Sequence, residues 1–245
     1  RKVAMHPRVK PSISSTSMHT ESQPIQYFVS MFPNHLVSSI LQWTNAPPLA
    51  TYKAIKPSEF WVFVAIHLSM SVVKLPTIND YWNEQDDGVF IANKYRERFG
   101  MSRNRWKEIW SIMTFHDSTQ SHDDRFFKVR NLINIFNDHM TDTFNAGYIL
   151  CVDEMMSMWY GLGEWHPEGM PHVAKIARKP RGIGMEMTCV ADGITGIMLF
   201  LEICESKEDM SCKKFTGPNV NKSTATTLRL TEQWFGSWRI IVGDS

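Results

Sequence analysis

The spacing of the hydrophobic residues changes part-way along the chain, and this change restricts the fold more than any other feature. Up to Asn145 the apolar residues recur at the three- and four-residue spacing of amphipathic helices. From Tyr148 onward they occur in short runs that are typical of β-strands. Helices followed by strands favour an α+β (α/β) architecture, in which an all-helical module precedes a mixed sheet.

Four helices are predicted in the first part of the chain. Pro47 and Pro48 stop the first of them, and Pro57 opens the second, where a first helical turn tolerates proline. The predicted helices cover residues 35–43, 57–73, 102–115 and 126–144. Residues 1–24 are rich in Pro, Ser and Thr and begin with basic side chains, so we interpret them as a flexible basic tail. A localisation signal or a DNA-contacting arm is the alternative.

Four strands and one helix are predicted in the second part. The strands cover residues 148–152, 184–190, 197–204 and 239–243, and the helix covers residues 224–234. Asp192-Gly193 and Thr195-Gly196 provide turn residues between the second and third strands, which indicates a hairpin.

Composition excludes several classes of protein. The net charge is +1, so any nucleic-acid surface must be local. The longest apolar run, residues 60–73, is about half a membrane span. That run is too short to span a membrane, so we expect no membrane partner. The four cysteines form no C-x-x-C pair, which disfavours a zinc finger and a disulfide framework and favours reduced thiols inside the cell. No Gly-rich phosphate loop is present, so we expect no nucleotide cofactor.

Two acids stand at the ends of predicted strands. Asp153 follows the first strand and Asp244 follows the fourth. Carboxylates that converge on neighbouring strands supply the hard oxygen ligands that Mg²⁺ or Mn²⁺ prefers, and two such ions can drive phosphoryl transfer. An ordinary helix-cap or turn role explains either acid alone, and spacing does not exclude it.

Several motifs in a fixed order resemble the piggyBac-type transposases. The resemblance runs from about Ile25 to the end of the chain. In the second part it rests on Val152-Asp153-Glu154, Gly169-Met170-Pro171 and the segment 178–184 (RKPRGIG). In the first part it rests on the segments 80–82 (DYW), 101–106 (MSRNRW), 115–117 (FHD) and 127–132 (FKVRNL).

This resemblance implies an RNase H-like fold with a DDE catalytic triad that cleaves DNA and transfers the strand with two divalent ions. Carried over by motif, the first acid is Asp153 and the second is Asp244. The family's third acid lies beyond Ser245, so we expect the 245-residue chain not to cleave DNA by itself and its Mg²⁺ or Mn²⁺ site to be complete only in the whole domain. Asp192 corresponds to a turn acid, and we predict a structural role for it.

Two groups of basic residues are candidates for contact with double-stranded DNA. Cations near a metal site hold phosphates rather than read bases. The first group is Lys175, Arg178, Lys179 and Arg181, between the first two strands. The second is Arg103 and Arg105, with Lys107, Arg96 and Arg98 nearby. A solvated loop is the alternative for the first group, and an ordinary exposed helix face is the alternative for the second.

The sequence therefore predicts three parts and a nuclear protein. Residues 1–24 form the tail, residues 25–147 a helical dimerisation and DNA-binding module, and residues 148–245 the first half of an RNase H-like domain. The partner is the DNA of transposon ends, and a homodimer stays open. The rival hypothesis is a domesticated, non-enzymatic DNA-binding or chromatin protein, or a decayed element.

Overall fold

The computed structural model divides the chain into two compact units. One unit holds residues 34–123 and 127–131, and the other holds the residues up to 33 together with 124–126 and 132–245. The structure describes residues 9–14, 23–46, 52–86, 88, 91–117, 123–162, 169–177 and 182–243. No helix within these ranges is long and apolar enough to cross a membrane.

Helices and strands follow the order expected from the sequence. The helices are α1 (Pro24–Met31), α2 (Asn34–Thr44), α3 (Pro57–Val72), α4 (Ile78–Tyr81), α5 (Tyr95–Phe99), α6 (Arg103–Ile112), α7 (Phe127–Thr143), α8 (Lys207–Ser211) and α9 (Lys222–Thr231). The strands are β1 (Ser12–Ile13), β2 (Phe144–Asn145), β3 (Ile149–Met158), β4 (Ala174–Lys175), β5 (Ile183–Asp192), β6 (Met198–Ile203) and β7 (Ile240–Gly243). A 3₁₀ turn, Glu232–Trp234, follows α9.

The first unit is helical in its described part, which agrees with the predicted fold class, although α1 and most of α7 belong to the other unit. Helices α2 and α3 cover the predicted segments almost residue for residue. Ser102 caps α6 by accepting a hydrogen bond from the backbone N–H of Arg105. Helix α6 ends earlier than predicted, at Ile112, because the Thr44 hydroxyl exchanges hydrogen bonds with the backbone N–H and C=O of Thr114.

An aromatic cluster forms much of the core of this unit. The ring of His67 stacks on Trp106 and Trp110, with ring centroids 5.3 and 4.8 Å apart. Burial lowers the pKa of His67, although its Nδ1 lies 2.9 Å from the carbonyl oxygen of Phe63. His67 is therefore a neutral packing residue at physiological pH.

The second unit contains a five-stranded mixed sheet. Strand β5 pairs antiparallel with β3 on one side and with β6 and the short β4 on the other. Strand β7 pairs parallel to β3, on the side away from β5. The antiparallel β3, β5 and β6 are thus followed by α9 and a parallel strand beside β3, which is the topology of the first half of an RNase H-like domain.

The core of this unit lies between the sheet and the helices. Leu150, Val190, Leu199 and Leu230 are almost fully buried in one cluster. Asn137 on α7 is a buried polar exception, and its amide bonds both the N–H and the C=O of Leu201 at 2.8 Å. Both ends of the buried Asn137 amide therefore have a hydrogen-bond partner.

The structure differs from the predictions at several places in this unit, among them the short β4 and α8, which were not predicted. Strand β3 does not end at Asp153 and Glu154 but continues to Met158, because each residue of this extension pairs with β5. Ser12–Ile13, in the predicted flexible tail, pairs antiparallel with Phe144–Asn145. The remainder of that tail, residues 1–8 and 15–22, lies outside the described residues.

Candidate active site

The candidate site lies where β3 and β7 run side by side. Val152 on β3 is the register partner of Gly243, the last residue of β7. The residue that follows Val152 is Asp153, whose side chain is exposed. The residue that follows Gly243 is Asp244, which lies outside the described residues. In sequence, each acid of the predicted pair thus follows one of two residues that are partners on neighbouring parallel strands.

Asp153 is held by contacts with its own strand and with β5. Its Oδ1 accepts a hydrogen bond of 2.7 Å from the backbone N–H of Glu154. Its carbonyl oxygen accepts a hydrogen bond of 3.4 Å from the thiol of Cys189, which is its register partner on β5. Burial and the negative charge of Asp153 raise the pKa of Cys189. Cys189 is therefore a neutral thiol that donates to the strand.

A cavity of about 330 Å³ opens at this end of the sheet. Asp153 and Glu154 line it, together with Gly243 at the end of β7. Its wall includes the first turns of α9, where Lys222 and Thr226 lie. Asn221 caps this helix by accepting a hydrogen bond from the N–H of Thr224. The site therefore has a strand side that carries acids and a helix side that carries hydroxyls and a lysine.

The donor chemistry of the predicted pair fits a hard divalent cation. Exposed carboxylate oxygens on a rigid strand are ligands that Mg²⁺ and Mn²⁺ accept. Within the described part of the chain, no three His, Cys, Asp or Glu side chains converge as a metal site. Asp153 is the described member of the pair, and with Asp244 it is the residue that would hold an ion.

Asp192 has the structural role that was predicted. Its side chain is completely buried, and its oxygens accept hydrogen bonds from the backbone of Gly147, Ile194 and Thr195 and from the Thr195 hydroxyl. Burial alone would raise its pKa, but these hydrogen bonds outweigh burial, so the pKa of Asp192 lies below its ordinary value. Asp192 stays ionised and organises the turn between β5 and β6.

The first group of basic residues is only partly described. Lys175 is exposed on β4, where it is the register partner of Ile183. Arg178, Lys179 and Arg181 lie outside the described residues. The group belongs to the connection between β3 and β5.

The second group divides into two kinds of side chain. Arg103 donates a hydrogen bond of 2.6 Å to Asn79 at the surface. Arg105 is largely buried and forms ion pairs with Glu59 and Glu108 at 3.0 and 2.9 Å. It also donates to the carbonyl oxygens of residues 53 and 54. Because these internal partners occupy its guanidinium, we assign Arg105 to packing and leave it out of the proposed DNA surface.

The helix side of the cavity was not among the predicted site residues. Lys222 and Thr226 reach it because α9 returns the chain from β6 to the start of β7, which leaves the first turn of α9 beside the end of β7. This placement could have been predicted, because a helix that connects two parallel strands runs antiparallel to them. Its first turn therefore lies near the end of the second strand.

Comparison with known families identifies the fold. A family model of DDE transposases, described as Transposase IS4, matches residues 23–245. The chain belongs to the piggyBac-type transposase family. A solved structure, a cryo-EM synaptic complex of piggyBac transposase with hairpin DNA, is similar with a TM-score of 0.73 and 18% identity. The similarity covers 96% of this chain and 48% of that one, so the chain spans about half the length of that transposase. No curated protein matches.

Proposed function

We propose that this chain provides the DNA-binding and first metal-binding part of a transposase that cleaves and joins DNA at transposon ends. One observation carries the proposal: Val152 and Gly243 are register partners on parallel strands, and an acid follows each of them in sequence. Membership of a family whose chemistry depends on divalent metals supports it. The similar piggyBac structure is a DNA complex, which supports DNA as the partner.

In this proposal each side chain has a separate task. Asp153 and Asp244 would hold Mg²⁺ or Mn²⁺, and a pair of such ions, when bound, would supply Lewis-acid stabilisation of the attacking and leaving oxygens. The hydrogen bond from the Cys189 thiol supports the strand that carries Asp153. Because that thiol is neutral, it adds no second negative charge beside the carboxylate.

The basic residues between β3 and β5 hold the DNA backbone. Lys175 is exposed, and Arg178, Lys179 and Arg181 follow it within six residues. Arg103 adds a surface cation on the helical unit. A protein that acts on chromosomal DNA works in the nucleus, and a synaptic role fits a homodimer. These assignments extend the proposal to location and assembly.

Metal binding tests the catalytic part of the proposal. Asp153→Asn keeps the size of the side chain but removes the charge that attracts the ion, so we expect at least a tenfold weaker affinity for Mn²⁺ in a calorimetric titration. Asp209→Asn is the matched control, since it neutralises an exposed acid on α8 that accepts one hydrogen bond from the Ser206 hydroxyl and does not line the cavity. If both variants bind Mn²⁺ as the unaltered chain does, Asp153 is not a ligand. DNA binding without any Mn²⁺ binding would favour the non-enzymatic DNA-binding function instead.

The salt dependence of DNA binding tests whether the first group of basic residues contacts phosphates. Each phosphate contact contributes about 0.9 to the slope of log affinity against log salt concentration. The double variant Arg178→Ala/Lys179→Ala should therefore reduce the magnitude of that slope by about 1.8, measured by fluorescence anisotropy on duplex DNA. Lys53→Ala/Lys74→Ala removes the same charge from the helical unit and should leave the slope unchanged. Equal slopes for both double variants would contradict the assignment.

A further inference from the structure

The segment just before β3 is held between two charged side chains that come from the strands on either side of it. Asp192, at the end of β5, accepts a hydrogen bond of 2.6 Å from the backbone N–H of Gly147. Arg239, just before β7, donates from Nε to the carbonyl oxygen of Gly147 at 2.9 Å and from Nη2 to that of Ala146 at 2.8 Å. One peptide segment is thus bonded through its N–H on one side and through its C=O on the other.

Glycine is required at the centre of this arrangement. A Cβ atom at residue 147 would lie 2.8 Å from Oδ2 of Asp192 and 3.2 Å from Cδ of Pro11. Any larger residue would therefore push the Asp192 carboxylate away from the N–H that it binds. We refer to Gly147, Asp192 and Arg239 together as the strand clamp.

The backbone that leads to Arg239 adopts an unfavourable conformation. Trp238 has a φ of +58°, in the left-handed region that bulky side chains disfavour, and its side chain is exposed. Gly236 also has a positive φ, of +72°, which costs glycine little. The chain therefore accepts strain at Trp238 directly before the residue whose guanidinium reaches Gly147.

Strand β7 needs such an anchor, because its own ladder specifies its position weakly. It has four residues, all of them exposed, and within the described residues it pairs with β3 alone. A shift of one residue would turn every side chain of β7 to the opposite face of the sheet. The first bond of the ladder, from the N–H of Ile240 to the carbonyl oxygen of Tyr148, lies directly beside the strand clamp.

We propose that Arg239 is a positioning residue, which fixes the register of β7 against β3 through the strand clamp and so aligns the acid after β7 with Asp153. The inference rests on the proposed function for the purpose of that alignment. The register itself does not depend on that function, and it can be measured separately.

A disulfide reports the register directly. Cys151 on β3 is the register partner of Val242 on β7. Neighbouring strands are about 4.8 Å apart, which lies within the Cα separation that a disulfide accepts. In the native register Val242→Cys should crosslink to Cys151 on mild oxidation, and Ile241→Cys, on the other face, should not. Both proteins are also made with Cys151→Ser, which must abolish the crosslink. If Val242→Cys fails to crosslink when Arg239 is present, the native register is wrong and the proposal is overturned.

Loss of the guanidinium should release the register. In an Arg239→Met background we expect the crosslinking rate of Val242→Cys to fall at least fivefold relative to that of Ile241→Cys. Arg239→Lys, which keeps the charge but not the forked donors, should give an intermediate ratio and serves if Arg239→Met does not fold. Arg229→Met is the matched control, because it removes another half-buried arginine of this unit, which pairs with Glu202 outside the β3–β7 junction. An unchanged ratio in the Arg239 variants overturns the proposal, as does an equal change in the Arg229 control.

Titration with Mn²⁺ separates this inference from the proposed function. If the clamp serves the metal site, Arg239→Met weakens Mn²⁺ binding at least threefold and Arg229→Met does not. If the unaltered chain binds no Mn²⁺ at Asp153, the proposed function fails while the crosslinking ratio still decides the role of Arg239 in the register. If Mn²⁺ affinity is unchanged although the crosslinking ratio shifts, the positioning role is overturned.

Discussion

Asp192→Ala should lower the free energy of unfolding by about 3–5 kcal/mol, because several buried N–H donors lose their acceptor and each unsatisfied donor costs about 1–3 kcal/mol. The carboxylate is fully buried, and its loss would leave the N–H groups of Gly147, Ile194 and Thr195 without an acceptor in a site that water does not reach. Asp192→Asn keeps one acceptor oxygen, so its cost should be smaller. Urea denaturation at neutral pH measures both variants.

The exposed Asp153 provides the control for this experiment. Asp153→Asn replaces a carboxylate of the same sheet that accepts one local hydrogen bond. Substitutions at such exposed positions usually change stability by less than about 0.5 kcal/mol. If Asp192→Ala and Asp153→Asn destabilise the chain equally, Asp192 does not organise the turn.

The stabilisation by Asp192 should also depend on pH in a defined direction. The pKa of Asp192 is lower in the folded chain than in the unfolded chain, because the hydrogen bonds to the charged form outweigh the effect of burial. Its contribution is therefore complete above the unfolded pKa of about 3.9 and is lost as the pH falls through the lower folded pKa. The difference in stability between the unaltered chain and Asp192→Asn should accordingly shrink below about pH 4.

Much of this unit could be predicted from sequence because the signals are local. The turn residues around Asp192 and the apolar runs on either side predicted the β5–β6 hairpin, and the structure pairs Val190 with Phe200 there. The continuation of β3 to Met158 was missed, because its exposed polar residues follow no strict alternation and its pairing with β5 is remote in sequence. The pairing of Ser12–Ile13 with Phe144–Asn145 was missed for the same reason.

At the candidate site, too, contacts between residues remote in sequence could not be predicted. Asp153 could be chosen from its position after an apolar run, and its side chain is exposed near the end of the β3–β7 ladder. Arg105 was chosen as a DNA contact because basic residues surround it in sequence. Its partner Glu59 is 46 residues away, and only the packing of α3 against α6 brings the two together. A charge pattern cannot distinguish a solvated arginine from one whose partner lies on another helix.

Gly184→Ala should disrupt the outer end of the β3–β5 pairing. A Cβ atom at residue 184 would lie 2.1 Å from the carbonyl oxygen of Ser157 and 2.9 Å from Cα of Met158, both of them backbone atoms of the paired strand. Neither can rotate away as a side chain would, so the strands must separate where Met158 and Gly184 are partners. We expect a loss of about 2–4 kcal/mol in the free energy of unfolding, the cost of a severe backbone conflict.

The loss of pairing should stay at this end of the sheet, where it should also affect the first group of basic residues, which begins with Lys175. Strand β4 pairs with β5 through Ala174 and Gly184, and Lys175 directly follows. Hydrogen exchange should therefore accelerate at Ser157, Met158 and Lys175 and remain slow in the centre of the sheet around Val190. Because Arg178 and Lys179 continue from this strand in sequence, affinity for duplex DNA should fall as well.

Gly217→Ala is the matched control for this change. Nothing lies within 4 Å of the position that its Cβ would occupy, so the same added methyl group should change stability by less than about 0.5 kcal/mol. A Gly184 variant that matches this control in stability and in exchange would show that β3 and β5 are not paired as far as Met158. If the strands separate while DNA affinity holds, the outer end of the β3–β5 pairing has a structural role alone and the DNA contacts must be sought elsewhere, beginning with Arg103.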